Sequence, residues 1–123
     1  MLVDDNELDN FINKKLIENE SFGSNIAVHQ SAQSALNYLR NNAASADMLP
    51  SVIFLDIMMP EMDGFGFLDE FDKLPDTAKT TCRIVMLSTS DSFKDLNRAN
   101  QNKYVKRFRN KPLSAQILNA LNL

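Results

Sequence analysis

The sequence has no tryptophan, one cysteine, three glycines and four prolines among its 123 residues. So little glycine and proline excludes a collagen-like or low-complexity chain. With 44% hydrophobic and 24% charged residues, the composition is that of a folded globular protein. Cys82 cannot form an internal disulfide, and a lone thiol suits a reducing compartment. No apolar run approaches the roughly 18–20 residues of a membrane span. Met1-Leu2-Val3 runs straight into two aspartates with no basic leader, so the expected location is the cytoplasm. Basic residues do not dominate either. Thirteen Lys/Arg against sixteen Asp/Glu leave a net charge of −3, which argues against a general nucleic-acid binder. At this length a core buries roughly two thirds of the unfolded surface without structural metals or disulfides. Residues 1–123 are therefore expected to form one domain, with no output domain after Leu123.

What is present alternates between two periods. Leu2-Val3 predicts a very short first strand ending in Asp4-Asp5-Asn6. Leu8, Phe11, Ile12 and Leu16 fall at helical spacing and predict an amphipathic helix over 7–18. Ile26-Ala27-Val28 predicts a second strand over 25–29. Ser31 is a fitting cap for a helix whose stripe is Ala32, Ala35, Leu36 and Leu39, ended by Asn41-Asn42. Val52-Ile53-Phe54-Leu55 is a continuous apolar run, the mark of a strand buried on both faces, and it ends on Asp56. Phe67, Leu68, Phe71 and Leu74 predict a helix stopped by Pro75. Ile84-Val85-Met86-Leu87 is a second buried strand, ending on Ser88. A weaker helix around Phe93, Leu96 and Ala99, a mostly polar strand over 104–108 and a last helix over 114–121 complete the chain.

Five such alternations imply right-handed crossovers and an α/β fold with a parallel sheet covered on both sides. Ligands in such sheets bind beyond the carboxyl ends of the strands. The residues there are Asp4, Asp5, Asp56, Ser88 and Lys111. Three carboxylates brought together in a crevice repel one another unless a cation joins them. Hard oxygen donors without His or thiolate favour Mg2+. A carboxylate beside such an ion can attack phosphorus, Ser88 can donate to a phosphoryl oxygen, and Lys111 can supply a positive charge. Met58, Met59 and Met62 are better read as packing or pocket-rim contacts than as soft-metal ligands, because thioethers suit Cu(I) and the neighbouring acids do not. His29 is read as a strand-end residue with no chemistry.

The stretches Leu2-Val3-Asp4-Asp5-Asn6, Val52 to Gly64 with Asp56-Ile57-Met58-Met59-Pro60 at its centre, Ile84 to Ser88, and Asn110-Lys111-Pro112-Leu113 resemble the receiver domains of two-component response regulators. The resemblance implies a doubly wound, flavodoxin-like five-stranded sheet of order 2-1-3-4-5 in a three-layer sandwich. It implies that Asp56 is the phosphoacceptor, and that Mg2+ is held directly by Asp5 and Asp56 and by the backbone carbonyl of Met58, with Asp4 binding it through water or helping to orient it. Ser88 then stands at the switch hydroxyl position, Lys111 pairs with the phosphoryl group, and Phe108 matches the aromatic switch residue. The implied partners are a sensor histidine kinase or phosphotransfer protein and a downstream protein target, with no nucleic acid and no membrane. The implied assembly is a monomer or a phosphorylation-dependent homodimer. The switched surface is formed by the fourth helix, fifth strand and fifth helix.

Three residues before Asp4 are fewer than the family usually has, leaving either a trimmed start or a sheet weakened there. The basic stretch Tyr104 to Arg109 is unusual for a buried strand but fits a sheet edge, where Lys and Arg discourage edge-to-edge pairing. Pro112 permits a cis bond after Lys111. Two other readings compete. One is a receiver fold used as a phosphorylation-independent docking module, which the complete set of five residues opposes. The other is a phosphatase of the haloacid-dehalogenase type, which places a second aspartate two residues after its nucleophile, where this chain has Met58. The expectation is a phosphoacceptor that dephosphorylates itself slowly and is not a metabolic enzyme.

Overall fold

The computed structural model describes residues 1–23, 25–89 and 92–123. Its elements are β1 (Leu2–Val3), α1 (Glu7–Asn19), β2 (Val28–His29), α2 (Ala32–Asn41), a 3-10 turn (Ala46–Met48), β3 (Val52–Asp56), α3 (Gly64–Phe71), α4 (Asp76–Thr81), β4 (Arg83–Ser88), α5 (Phe93–Asn100), β5 (Val105–Asn110) and α6 (Ala115–Asn119). The five strands are all parallel in the order β2-β1-β3-β4-β5, as the resemblance implied.

Alternate residues of each central strand face opposite layers. On one face Val3, Ile53, Leu55, Ile84 and Met86 join the apolar sides of α2, α3 and α5, with Phe67 and Phe71 among the fully buried rings. On the other, Leu2, Phe54, Val85 and Leu87 pack with Ile17 of α1 and with Leu118 and Leu121 around α6. β3 and β4 are buried on both sides because helices cover both, which is why their apolar runs are unbroken.

The helix ends follow the side chains that cap them. Asn6, Ser31, Asp63, Ser92 and Ser114 each accept a hydrogen bond from a first-turn N–H. The Lys111–Pro112 bond is cis. Three expectations change in the folded chain. Pro75 ends α3's approach but also precedes a helix of its own, α4, so the predicted fourth and fifth helices are α5 and α6. Strand β2 pairs over Val28–His29 only, not over 25–29, and Val28 is exposed.

The third change concerns the face that α1 buries. Its apolar residues Leu8, Phe11 and Ile12 are 65%, 61% and 51% exposed, while Asn10, Asn13 and Ile17 face inward. Positions 10, 13 and 17 form a stripe as regular as the apolar one, so either face could have turned to the sheet. With the polar one inward, Asn10 Nδ2 donates to the carbonyl of Asp4 at 2.8 Å, satisfying a backbone group buried at the end of β1.

Candidate functional site

β1 and β3 are neighbours in register, Val3 opposite Leu55, so the residue after each strand pair falls at the same edge of the sheet. Asp4 and Asp56 thereby lie side by side, both buried, with Asp5 exposed beside them. One carboxylate oxygen from each of the three lies within 4.8 Å of the others. Lys111 reaches the same point from the end of β5, whose partner β4 pairs Ser88 with Asn110. The backbone N–H of Lys111 donates to the Ser88 carbonyl at 2.8 Å, tying the two strand ends together. Its ammonium contacts Asp4 Oδ2 at 2.6 Å and Asp56 Oδ1 at 3.2 Å.

The crevice is electrostatically strained without a cation. Asp56 is 6% exposed. Its carboxyl is pushed up to about 6, first by burial and then by the charge of Asp4, against the opposing pull of Lys111. Burial works to lower the Lys111 ammonium, but the hydrogen bonds and charges of Asp4 and Asp56 outweigh it and the net shift is upward. One lysine does not compensate three carboxylates. That unbalanced charge, with only hard oxygen donors around it, fits a small divalent cation.

The loop after β3 is held close to the site by Gly64. Its N–H donates to Ile57 O at 2.8 Å, and a Cβ there would lie 2.7 Å from Asp56 O. Only glycine lets the helix start so near the strand end. Between them Met58 is exposed, whereas Met59 is buried and packs with the core, as the packing reading expected.

The structure thus brings together Asp4, Asp5, Asp56 and Lys111. Ser88 is buried at the end of β4, one residue beyond Leu87, which is opposite Asp56. Phe108 is half-buried and packs against the larger core cluster. Met58 follows Asp56 by two positions in the exposed loop. Two site residues were not foreseen. Asp9, in the first turn of α1, contacts Lys111 Nζ at 3.3 Å, and Asn10 holds Asp4's carbonyl. Among the described residues Asn10 Oδ1, which is buried, has no hydrogen-bond partner. A signal for Asp9 existed in its place one helical turn after Asp5. A separate cavity of about 290 Å³ lies at the opposite end of the sheet, lined by Met1, Ile17, Phe22, Phe54 and Leu121 among others, and contains none of the predicted residues. Cys82 is buried, and burial pushes its thiol up to about 11, which makes it unreactive. Among the described residues no helix is long and apolar enough to cross a membrane.

Residues 1–121 match the family model of the response regulator receiver domain. The chain is 30% identical over 118 residues to a probable methanogenesis regulatory protein, FilR2, of Methanothrix harundinacea (strain 6Ac), covering 96% of this chain and 74% of that protein. Among solved structures it is similar to a two-component response regulator from Cytophaga hutchinsonii, with 32% identity, a TM-score of 0.88, and 98% and 90% of the two chains covered. A response regulator receiver protein from Dyadobacter fermentans DSM 18053 is 30% identical, with a TM-score of 0.87 and 98% and 91% covered.

Proposed function

The chain belongs to the response regulator receiver domain family, and from that membership we propose that it is a phosphoacceptor of a two-component phosphorelay, with Asp56 as the acceptor. The observation that carries this reading is the meeting of Asp4, Asp5 and Asp56 with Lys111 at one end of the sheet.

Mg2+ would be held by Asp5 and Asp56, with Asp4 acting through water and the Met58 carbonyl as a further donor. When bound, it supplies positive charge that keeps Asp56 ionised and stabilises the phosphoryl oxygens. The Asp56 carboxylate would supply the attacking oxygen. A P–O bond forms to that oxygen while the donor's bond to phosphorus breaks and the donor leaves with its electron pair. Lys111 transfers its pairing toward the new phosphoryl group, whose added charge of about −1.5 to −2 is the signal. In this reading Ser88, at the end of the neighbouring strand β4, would donate its hydroxyl to a phosphoryl oxygen, and Phe108 on β5 would be the aromatic that responds. Hydrolysis returns Asp56 slowly to its free state, so the chain is a switch and not a metabolic enzyme.

A protein donor, a sensor histidine kinase or phosphotransfer protein, is supported by the outer face of α1. Leu8, Phe11 and Ile12 are exposed on the helix whose first turn already touches Lys111 through Asp9. The lone buried thiol of Cys82 supports action in a reducing compartment such as the cytoplasm.

Incubation with Mg2+ and acetyl phosphate, read by intact mass, tests the acceptor. The expected result is the mass of one phosphoryl group on the native chain and none on Asp56→Asn. Equal labelling of that variant overturns the assignment.

A further inference from the structure

An ammonium group has three hydrogens, and that of Lys111 meets three carboxylates. Asp4 Oδ2 accepts from it at 2.6 Å and Asp9 Oδ2 at 3.3 Å, while Asp56 Oδ1 lies at 3.2 Å. Asp4 and Asp56 belong to the crevice at the strand ends. Asp9 comes from elsewhere, the first turn of α1, 102 residues from Lys111 along the chain. Its backbone N–H donates to the capping Asn6 Oδ1 at 3.0 Å, which fixes that turn. The next residue, Asn10, is bound to the Asp4 carbonyl and keeps the turn beside the site.

A favourable charge at a helix start does not by itself account for the contact. Acids in a first turn suit the helix dipole wherever they point, and Glu7 of the same turn is exposed. Among the described residues the carboxylates meeting Lys111 are those of Asp4, Asp9 and Asp56. These three differ in what their release costs. The Asp4 side chain is 6% exposed, so losing Lys111 leaves a buried charge unpaired. Asp56 bears the incoming group itself. The Asp9 side chain is 38% exposed, and water replaces the lysine there at little cost.

We infer that Asp9 is a positioning residue: it holds the Lys111 ammonium from the solvent side in the resting pocket, and it is the partner given up when a phosphoryl oxygen arrives. The inference rests on the phosphoacceptor reading of Asp56 and concerns how readily that site takes its phosphoryl group. With three carboxylates around the three ammonium hydrogens, a phosphoryl oxygen gains Lys111 only by displacing one of them. Asp9 therefore competes with the phosphoryl group for the lysine. The competition is worth about one partly exposed ion pair, or about two- to fivefold in affinity.

Two measurements on the full chain with Mg2+ test this. One is calorimetric titration with beryllofluoride, a tetrahedral phosphoryl analogue that a carboxylate oxygen coordinates without group transfer. The other is the initial rate of labelling over a range of acetyl phosphate concentrations, read by intact mass. Asp9→Asn is expected to bind beryllofluoride about two- to fivefold more tightly, and to label faster by the same factor at low donor through KM, with kcat unchanged. Asp9→Glu, which keeps the charge, should stay near the native values. So should Glu7→Gln, which removes a charge from the same turn without a contact to Lys111. No gain or a loss in Asp9→Asn, an equal gain in Glu7→Gln, or beryllofluoride binding by neither the native chain nor Asp9→Asn would each overturn the inference. Labelling of the native chain with no gain in Asp9→Asn leaves the acceptor reading standing. A native chain that takes no label overturns that reading instead, and beryllofluoride affinity still decides on Asp9.

Discussion

Lys111 Nζ lies closer to Asp4 Oδ2, at 2.6 Å, than to Asp56 Oδ1, at 3.2 Å. The lysine is thus the counter-cation of Asp4 first and of Asp56 second. The same oxygens are the ones a divalent ion needs.

Lys111→Ala should therefore move two quantities in opposite directions. Mg2+ affinity, measured by calorimetric titration, should rise about tenfold, since removing a unit charge a few ångströms away is worth about 1 kcal/mol or more. Metal-free stability should fall by about 3 kcal/mol, because two buried carboxylates lose their partner. A variant whose Mg2+ affinity drops would show that Lys111 does not compete with the cation.

Asp56 gives the pH dependence. Its carboxyl is raised to about 6 by burial and by Asp4, so the folded state holds its proton more tightly than the unfolded chain does. The associated stability is fully present below the ordinary carboxylate value and is lost as pH rises through about 6. At neutral pH the ionised group is therefore destabilising to the folded state. Asp56→Asn should relieve most of that. Urea unfolding in EDTA should show the variant more stable than the native chain at neutral pH, with the gain vanishing near pH 4. An equal gain at both pH values would place its origin outside this ionisation.

The strand-end residues were legible because a buried parallel strand announces both its length and its carboxyl end: Val52 to Leu55 points to Asp56, and Ile84 to Leu87 to Ser88. Strand order came from family resemblance, since alternation alone leaves it open. Asp9 and Asn10 escaped because helical periodicity weighs apolar residues, and α1 turns its apolar face outward. The inward stripe carries a hydrogen bond from Asn10 to the Asp4 carbonyl, and hydrophobic patterning cannot register such a bond. Helix α4 escaped for a related reason. Ala78 is its one buried residue, too little for an apolar stripe, and Pro75 reads equally as an end or a beginning.

Gly64 and Gly66, two residues apart in α3, should respond differently to alanine. At Gly64 the new Cβ would meet the Asp56 carbonyl at 2.7 Å and Ile57 Cα at 3.0 Å, backbone atoms that cannot step aside. Gly64→Ala should cost about 1–3 kcal/mol and slow labelling of Asp56 by displacing it. At Gly66 the nearest atom is Met62 Cγ at 2.9 Å, on a flexible side chain. There the better helix propensity of alanine, worth about 1 kcal/mol, offsets the contact. Urea midpoints of the two variants would measure the contrast, and equal losses would contradict the close approach at Gly64.

The outward apolar face of α1 separates docking from chemistry. Phe11 is 61% exposed, so Phe11→Ala should change stability by no more than about 0.5 kcal/mol. Ile17→Ala, on the buried face of the same helix, should cost about 2–5 kcal/mol. If a phosphorylated protein seats against Leu8, Phe11 and Ile12, Phe11→Ala should slow transfer from that protein about tenfold or more, as loss of an interface anchor does. Labelling by acetyl phosphate needs no docked protein and should keep its native rate. Slowing with both donors would place the effect in the acid pocket through Asp9 and Lys111, and slowing with neither would move the docking surface off α1. The protein donor and the small donor meet the same Asp56, so only a difference between them reports on the helix.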